Sequence, residues 1–373
     1  MYRFVMKLSP EDVNVIAKYL YMEMLKAGYT CVAEFHYLHH QQNGMAYDDP
    51  AEMSHQVIEA AKSAGIGLTH LPVLYTYAGF GQKLPQQSQA RFIHQTENYC
   101  RLIESLCQSV KGEELISFGV APHSLRAVSK EQLDTLIPFT KLLDPKAPIH
   151  IHIAEQLKEV DDCLAHYGKR PVQWLLESYQ TDSTWCLVHA THLSDTEMSR
   201  IVDAGAKAGI CPTTEANLGD GIFPTNAFLN LGGKVTIGSD SNIAVNISDE
   251  LRALEYAQRL TLNQRAVLAH RDCESVGQNL YAHAALQGAS IVNQNVGSLE
   301  VGKRADLLVL NMQHPSLYAK QSRFILDAAI FACNQLPVKD VMVAGEWRIS
   351  DGRHYDEESM TNAYMKLMGK LGE

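Results

Sequence analysis

Apolar positions along this chain alternate between a helical spacing and short unbroken runs, and the alternation repeats from the N-terminus to about residue 240. Ser9-Pro10-Glu11-Asp12 opens a first helix with an N-cap hydroxyl, proline at the first helical position and acids in the first turn. Val13, Ile16, Leu20, Met24 and Leu25 keep the helical period, and Gly28 ends it. A strand at 31–35 follows at once. The same pairing recurs as a helix at about 50–64 with a strand at 67–73, a helix at 87–109 with a strand at 115–120, and a helix at 130–142 with a strand at 148–153. It continues as a helix at 171–178 with a strand at 184–188, a helix at 195–204 with a strand at 208–211, and a strand at 234–237. Seven strands separated mostly by helices predict an α/β fold with a parallel sheet, and a closed barrel of this kind needs eight.

Beyond a helical stretch at about 248–289 the pattern changes to short strands, at 302–310 and 338–343 with the turn Ala344-Gly345-Glu346, as in part of a small β-sandwich. A helix at 357–371 finishes the chain. The expected organisation is a (β/α) barrel domain over 1–295, a sandwich segment over 296–356 and a C-terminal helix over 357–373.

Composition narrows the class. With 373 residues, 46% hydrophobic and 20% charged, the chain has the make-up of an ordinary globular protein large enough for a barrel and an appended unit. A formal charge of −10 without a compensating Lys/Arg cluster argues against a nucleic-acid footprint. The eight cysteines are scattered with no CxxC pair, several inside apolar runs, which suits a reducing compartment. No apolar stretch approaches the roughly 20 residues of a membrane span, and Met1-Tyr2-Arg3-Phe4 lacks a signal-peptide layout, so a cytoplasmic protein is expected.

Three strand endings carry the candidate chemistry. Ile149-His150-Ile151-His152-Ile153-Ala154-Glu155 delivers an imidazole and, three residues later, a carboxylate, the pairing of a metal ligand with a proton shuttle. Leu187-Val188-His189-Ala190 closes a second apolar run, and Thr236-Ile237-Gly238-Ser239-Asp240 closes a third. In a parallel β/α barrel the strand C-termini converge on the face that holds the chemistry. Taken singly, each histidine also reads as a satisfied core residue and Glu155 as a cap on the following helix.

An HxAE strand, a later strand-ending His, an SD strand and the segment Gly302-Lys303-Arg304-Ala305-Asp306-Leu307-Leu308-Val309-Leu310, in that order, resemble the deaminase branch of the amidohydrolase superfamily over about residues 115–345. Within that branch, Glu34-Phe35-His36-Tyr37-Leu38-His39-His40, Leu71-Pro72-Val73-Leu74-Tyr75, Tyr77-Ala78-Gly79-Phe80 and Ala121-Pro122-His123-Ser124-Leu125-Arg126 are similar to the deiminases of N-formimino-L-glutamate in histidine degradation. The resemblance implies a TIM-like (β/α)8 barrel and a Zn2+ cofactor, which would acidify a water for attack on the sp2 formimino carbon. It assigns His152 and Asp240 as metal ligands, Asp240 also as proton acceptor, Glu155 as proton shuttle and His189 as the group that holds the nascent oxyanion. It assigns Arg126, His123 and Tyr37 to the substrate, Arg126 as a bidentate partner of a carboxylate. For Tyr37 and His36 the alternative is packing of an aromatic cluster. The partners it implies are the small-molecule substrate and, for assembly, a homodimer, with neither nucleic acid nor membrane. A purine- or triazine-type deaminase of the same superfamily is the alternative in chemistry, and an inactive barrel the alternative in class.

The resemblance further implies an N-terminal sandwich half and a first barrel strand ending in His-x-His, and neither has a counterpart in this sequence. His36, His39, His40 and His150 are not matched replacements. The expectation is therefore an incomplete barrel, strand one missing, with unpaired edges, a zinc site short of ligands and little activity in this chain.

Overall fold

Ser9 caps the helix Pro10–Lys26 by a reciprocal pair of bonds: its hydroxyl accepts the Asp12 N–H at 3.2 Å, and the Asp12 carboxylate accepts the Ser9 N–H at 3.0 Å. The computed structural model to which this helix belongs describes residues 2–242, 244–270 and 273–372. The chain folds into two compact units, one running from the N-terminus to Ile151 with Val292–Gln294 and the segment from Met342 on, the other His152–Ile291 with Asn295–Val341.

In the first unit, β1 (Cys31–His36) pairs in parallel with β2 (Gly67–Leu74), Cys31 opposite Gly67. β2 pairs in turn with β3 (Ile116–Phe118), and its end pairs with β4 (Ala121–Pro122). Every residue of β2 is buried, as a strand covered on both faces must be, which is why it reads as an apolar run rather than an alternation. The expected strand at 115–120 is interrupted at Gly119, whose N–H turns to the His70 carbonyl at 3.0 Å. The expected helix at 87–109 is a 3-10 turn, Gln87–Phe92, followed by the helix Thr96–Ser109. Between them the chain dips to the sheet, where the His94 N–H donates to the Tyr75 carbonyl at 3.0 Å.

The helix Glu52–Ala64 packs on Pro10–Lys26 and ends at Gly65, whose φ of +80° a Cβ would oppose. Its last carbonyls are taken up from the C-terminal segment, by His354 Nε2 on Ala64 at 3.0 Å and the Tyr355 hydroxyl on Ser63 at 2.6 Å. The C-terminal helix Glu357–Gly372 lies against Pro10–Lys26, with Tyr364 stacked on Tyr19 at 4.1 Å and Lys26 paired with Glu357 at 2.8 Å.

β5 (Ile149–Ile153) runs from one unit into the other. Its start belongs to the first, where His150 donates its N–H to Val120 at 3.0 Å. His152 and Ile153 belong to the second, where Ile153 accepts the Ala190 N–H at 3.1 Å. There β6 (Trp185–His189), β7 (Lys207–Ile210) and β8 (Val235–Ile237) continue the order β5-β6-β7-β8, all parallel in their described pairings. The helices Leu157–Tyr167, Pro171–Ser178 and Asp195–Ala204 connect these strands, and Asp195–Ala204 starts at a Ser194/Glu197 capping box and ends at Gly205. The stretch expected to be helical at 248–289 is two helices, Ile247–Leu262 and Val276–Ala289. Strands Leu307–Leu310, Val338–Val343, Glu346–Ser350 and Arg353–His354 occupy the region where short strands were expected, the last two as an antiparallel hairpin. All eight cysteines are free thiols. Among the described residues no helix is long and apolar enough to cross a membrane.

Candidate active site

The strands of the second unit end in backbone conformations that side chains other than glycine rarely adopt. Ala154 after β5, His189 and Ala190 at the end of β6, and Asp240 after β8 have φ of +50°, +65°, +47° and +50°. Left-handed non-glycine residues cost on the order of 1 to 3 kcal/mol each and collect where a site needs its side chains aimed. Here they aim three side chains at one point. His152 and His189 stack with ring centroids 5.5 Å apart, and His189 Nε2 faces Asp240 Oδ2 at 3.3 Å and Glu155 Oε1 at 3.9 Å.

Gln156 is the N-cap of the helix that follows, and the Glu159 carboxylate reaches back to accept the N–H groups of Ala154 and Glu155 at 3.0 and 3.1 Å. The Glu155 carboxylate lies 3.9 Å from His189 Nε2.

The electrostatics favour positive charge. Burial presses the His189 imidazole toward neutrality, but the carboxylates of Asp240, Glu215 and Glu155 overcome it and hold its pKa at about 10. Burial likewise raises Asp240, and the neighbouring His189 and His152 more than reverse that, leaving it below the usual carboxylate range.

Among the described residues, the side chains spaced to hold a metal ion form two groups, and His189 belongs to both. In the first, His152, His189 and Asp240 offer donor atoms that all lie within 4.8 Å of one another. Two imidazoles and a carboxylate are the three-ligand set of a catalytic divalent site, and the proton held on His189 marks where a cation is favoured. These residues fit such an ion. The second group, His189, Cys211 and Glu215, is fully buried.

The other residues singled out from the sequence lie in the first unit. Tyr37 and His123 meet edge to face at 5.7 Å, and Tyr75 closes on His123 from 4.8 Å. Arg126 is half-buried in the turn after β4, which the Ser124 carbonyl closes by accepting the Ala127 and Val128 N–H groups at 3.0 and 3.1 Å. His36, His39 and His40 form a packed cluster with His70 and His94, the closest rings being His39 and His94 at 4.4 Å. Burial pushes His36 down to about 4 and His94 to about 3, and holds His39 and His70 well below the usual range. His150 is buried edge-on to Phe35 at 6.0 Å.

In the comparison with known families, residues 2–348 match the amidohydrolase family. The chain belongs to the amidohydrolase family. This amidohydrolase is 49% identical over 371 residues to the formimidoylglutamate deiminase of Pseudomonas aeruginosa, an alignment spanning 100% of this chain and 81% of that protein. It is 28% identical over 362 residues to the 5-methylthioadenosine/S-adenosylhomocysteine deaminase of Thermodesulfovibrio yellowstonii, covering 95% and 74% of the two chains. Among solved structures, an amidohydrolase from Brucella melitensis matches with a TM-score of 0.93 at 44% identity, over 100% of this chain and 82% of that one. An adenosine deaminase from Xanthomonas campestris with bound zinc matches at 0.80 with 21% identity, over 98% and 76%, and supports the fold.

The sequence points to His189 as a catalytic side chain, and the geometry also makes it the third member of the donor group. Glu215 and Asp220 do not stand out from the sequence. Glu215 Oε1 lies 3.2 Å from His189 Nδ1, and Asp220 is buried, with the charges of Glu155, His189 and Asp240 acting on it. Pro212, two residues after β7, opens a helix that carries Glu215 near the mouth of the strand, but the same spacing is that of a solvated first-turn acid.

Proposed function

We propose that this amidohydrolase hydrolyses the formimino C–N bond of N-formimino-L-glutamate, giving N-formyl-L-glutamate and ammonia in the course of histidine degradation. Identity of 49% over the whole chain to a formimidoylglutamate deiminase carries the choice of substrate. The convergence of His152, His189, Asp240 and Glu155 supports the class of reaction.

His152, His189 and Asp240 would hold a divalent ion, zinc in this reading, which would supply a Lewis acid and lower the pKa of water toward 7. Asp240 accepts a proton from the water that attacks the formimino carbon. Glu155 delivers a proton to the nitrogen of the breaking bond, so that ammonia leaves and the formyl oxygen stays. His189, buried beside both carboxylates, would serve in this reading as a ligand of that ion, with its other ring nitrogen held by Glu215. Arg126 is assigned to a substrate carboxylate, and Tyr37 and His123 to its surroundings, because a dicarboxylate needs a guanidinium-type partner and the family resemblance falls on these positions. Eight free thiols accord with a cytoplasmic location.

Ammonia release decides the substrate. Turnover of N-formimino-L-glutamate well above that of 5-methylthioadenosine is expected. The reverse preference would assign the chain to purine-type deamination.

A further inference from the structure

Glu215 is 3% exposed, and no lysine or arginine pairs with it among the described residues. Its partners are the Cys211 N–H, which donates to Oε1 at 2.8 Å, and His189 Nδ1 at 3.2 Å. A carboxylate this deeply placed is costly unless it is paired, so the ring of His189 is what makes its burial tolerable. We propose that Glu215 is the positioning residue of this active site, accepting Nδ1–H of His189 and so fixing the imidazole with its Nε2 edge turned to Asp240 and Glu155. The proposal rests on the reading of His189 as an active-site residue and adds what orients it.

Three observations carry it. The first is the asymmetry of the two sides of the ring. The Glu215 side chain is 4% exposed, against 15% for Glu155 and 27% for Asp240, so water screens the Nε2 carboxylates far more than it screens Glu215. Nδ1 is therefore the edge of the ring that meets the less screened carboxylate. The second is that Glu215 is itself immobilised. It lies in the first turn of Pro212–Leu218, and Glu250 clamps that turn by accepting the Thr213 N–H at 3.0 Å together with the Thr213 hydroxyl. The third is that His189 has a left-handed backbone, φ +65°, so its ring direction needs a fixed point at the far end.

The same geometry explains why the buried group His189, Cys211 and Glu215 serves as a support rather than as a second metal site. Glu215 Oε1 is already shared between the Cys211 N–H and His189 Nδ1. A carboxylate behind a metal-binding histidine fixes its tautomer and raises its basicity, and loss of such a partner commonly costs 10- to 100-fold in affinity or rate.

The test compares wild type, Glu215→Gln and Glu215→Ala, each labelled with 15N on histidine, by long-range 1H–15N spectra of the His189 ring in metal-free and zinc-loaded protein, with zinc affinity read in parallel. Wild type with zinc is expected to show a protonated Nδ1. Glu215→Gln keeps an oxygen acceptor, and is expected to keep the Nδ1–H signature while zinc affinity falls about 10-fold. Glu215→Ala is expected to lose the signature and about 100-fold in affinity. Wild-type ring shifts together with wild-type zinc affinity in Glu215→Ala would overturn the proposal. Should that variant not fold, unchanged zinc affinity in Glu215→Gln overturns it equally. If wild type releases no ammonia from N-formimino-L-glutamate while Glu215→Ala still loses Nδ1–H, the substrate reading fails and the positioning role stands.

Discussion

His189 Nε2 and Asp240 Oδ2 lie 3.3 Å apart, and both residues hold left-handed backbones, with φ of +65° and +50°. The strain and the attraction belong together, because the strand ends are bent to bring a buried imidazole and a carboxylate to one point. Asparagine tolerates the left-handed region as well as aspartate does, whereas alanine adds strain of its own. Asp240→Asn should therefore lose about 10-fold or more in zinc affinity with a thermal midpoint near wild type. Metal content and a melting curve on the same preparation check this, and retained zinc in the Asn variant would remove Asp240 from the ligand set.

Glu155→Gln should separate proton transfer from metal binding. Its carboxylate stands 3.9 Å from His189 Nε2 but is not one of the three donors within 4.8 Å of one another. The amide keeps the shape and loses the transferable proton, so kcat should fall by about 100-fold or more with zinc still stoichiometric. Coincident loss of zinc would mean that the residue is a ligand rather than a shuttle.

Arg126→Met tests the substrate assignment. Removing a charge-assisted bond worth about 1.5 to 3 kcal/mol should raise KM roughly 10- to 100-fold with metal occupancy unchanged. An analogue without the carboxylate that Arg126 meets should show a much smaller effect. Equal effects on both compounds would make Arg126 a structural residue.

Much of this was readable in advance because parallel strands covered on both faces are nearly continuous apolar runs, and those of β2 and β5 stand out against the helices beside them. Strand-ending His152, His189 and Asp240 were legible for the same reason: a polar residue that closes an apolar run marks a strand mouth. Glu215 was hidden, since a glutamate three residues after a proline usually looks like a solvated first-turn acid, and its burial comes only from long-range packing. The break at Gly119 was hidden too, because local propensity does not reveal that another backbone will pass close by.

That approach makes Gly119 a sharp test of the fold. A Cβ at this position would meet the Pro148 carbonyl oxygen at 2.6 Å and the Pro148 Cγ and Leu71 Cδ2 at 2.7 Å, none of them a flexible chain end. Gly119→Ala should cost about 1 to 3 kcal/mol, as overpacking does, measured as a lowered urea midpoint with unchanged m. A neutral result would show that β3 and β4 can separate from the start of β5 without loss.

Acid should unfold the protein through its buried histidines. His36 and His94 have folded pKa values of about 4 and about 3 against an ordinary 6.5, so the folded state resists their protonation. Each contributes its full stability above pH 6.5 and loses about 1.4 kcal/mol per pH unit as the pH falls from 6.5 toward the folded value. His39 and His70, also depressed by burial, act in the same direction. The groups around the cluster do not relieve it: Arg91 lowers His40 further, His55 acts on His70 in the same direction, and Tyr99 meets His94 edge to face. Glu34 and Glu250, raised by burial to about 7, oppose the trend, because their ionisation burdens the folded state and is removed as the pH falls from 7 toward 4.5. Four strongly depressed histidines outweigh two raised acids, so urea midpoints should decline from pH 6.5 to 5. In His94→Phe, which removes one titrating ring and fills its space, the decline should be shallower by about 2 kcal/mol over that interval. Parallel pH profiles for wild type and His94→Phe would show that the cluster does not set the acid limit.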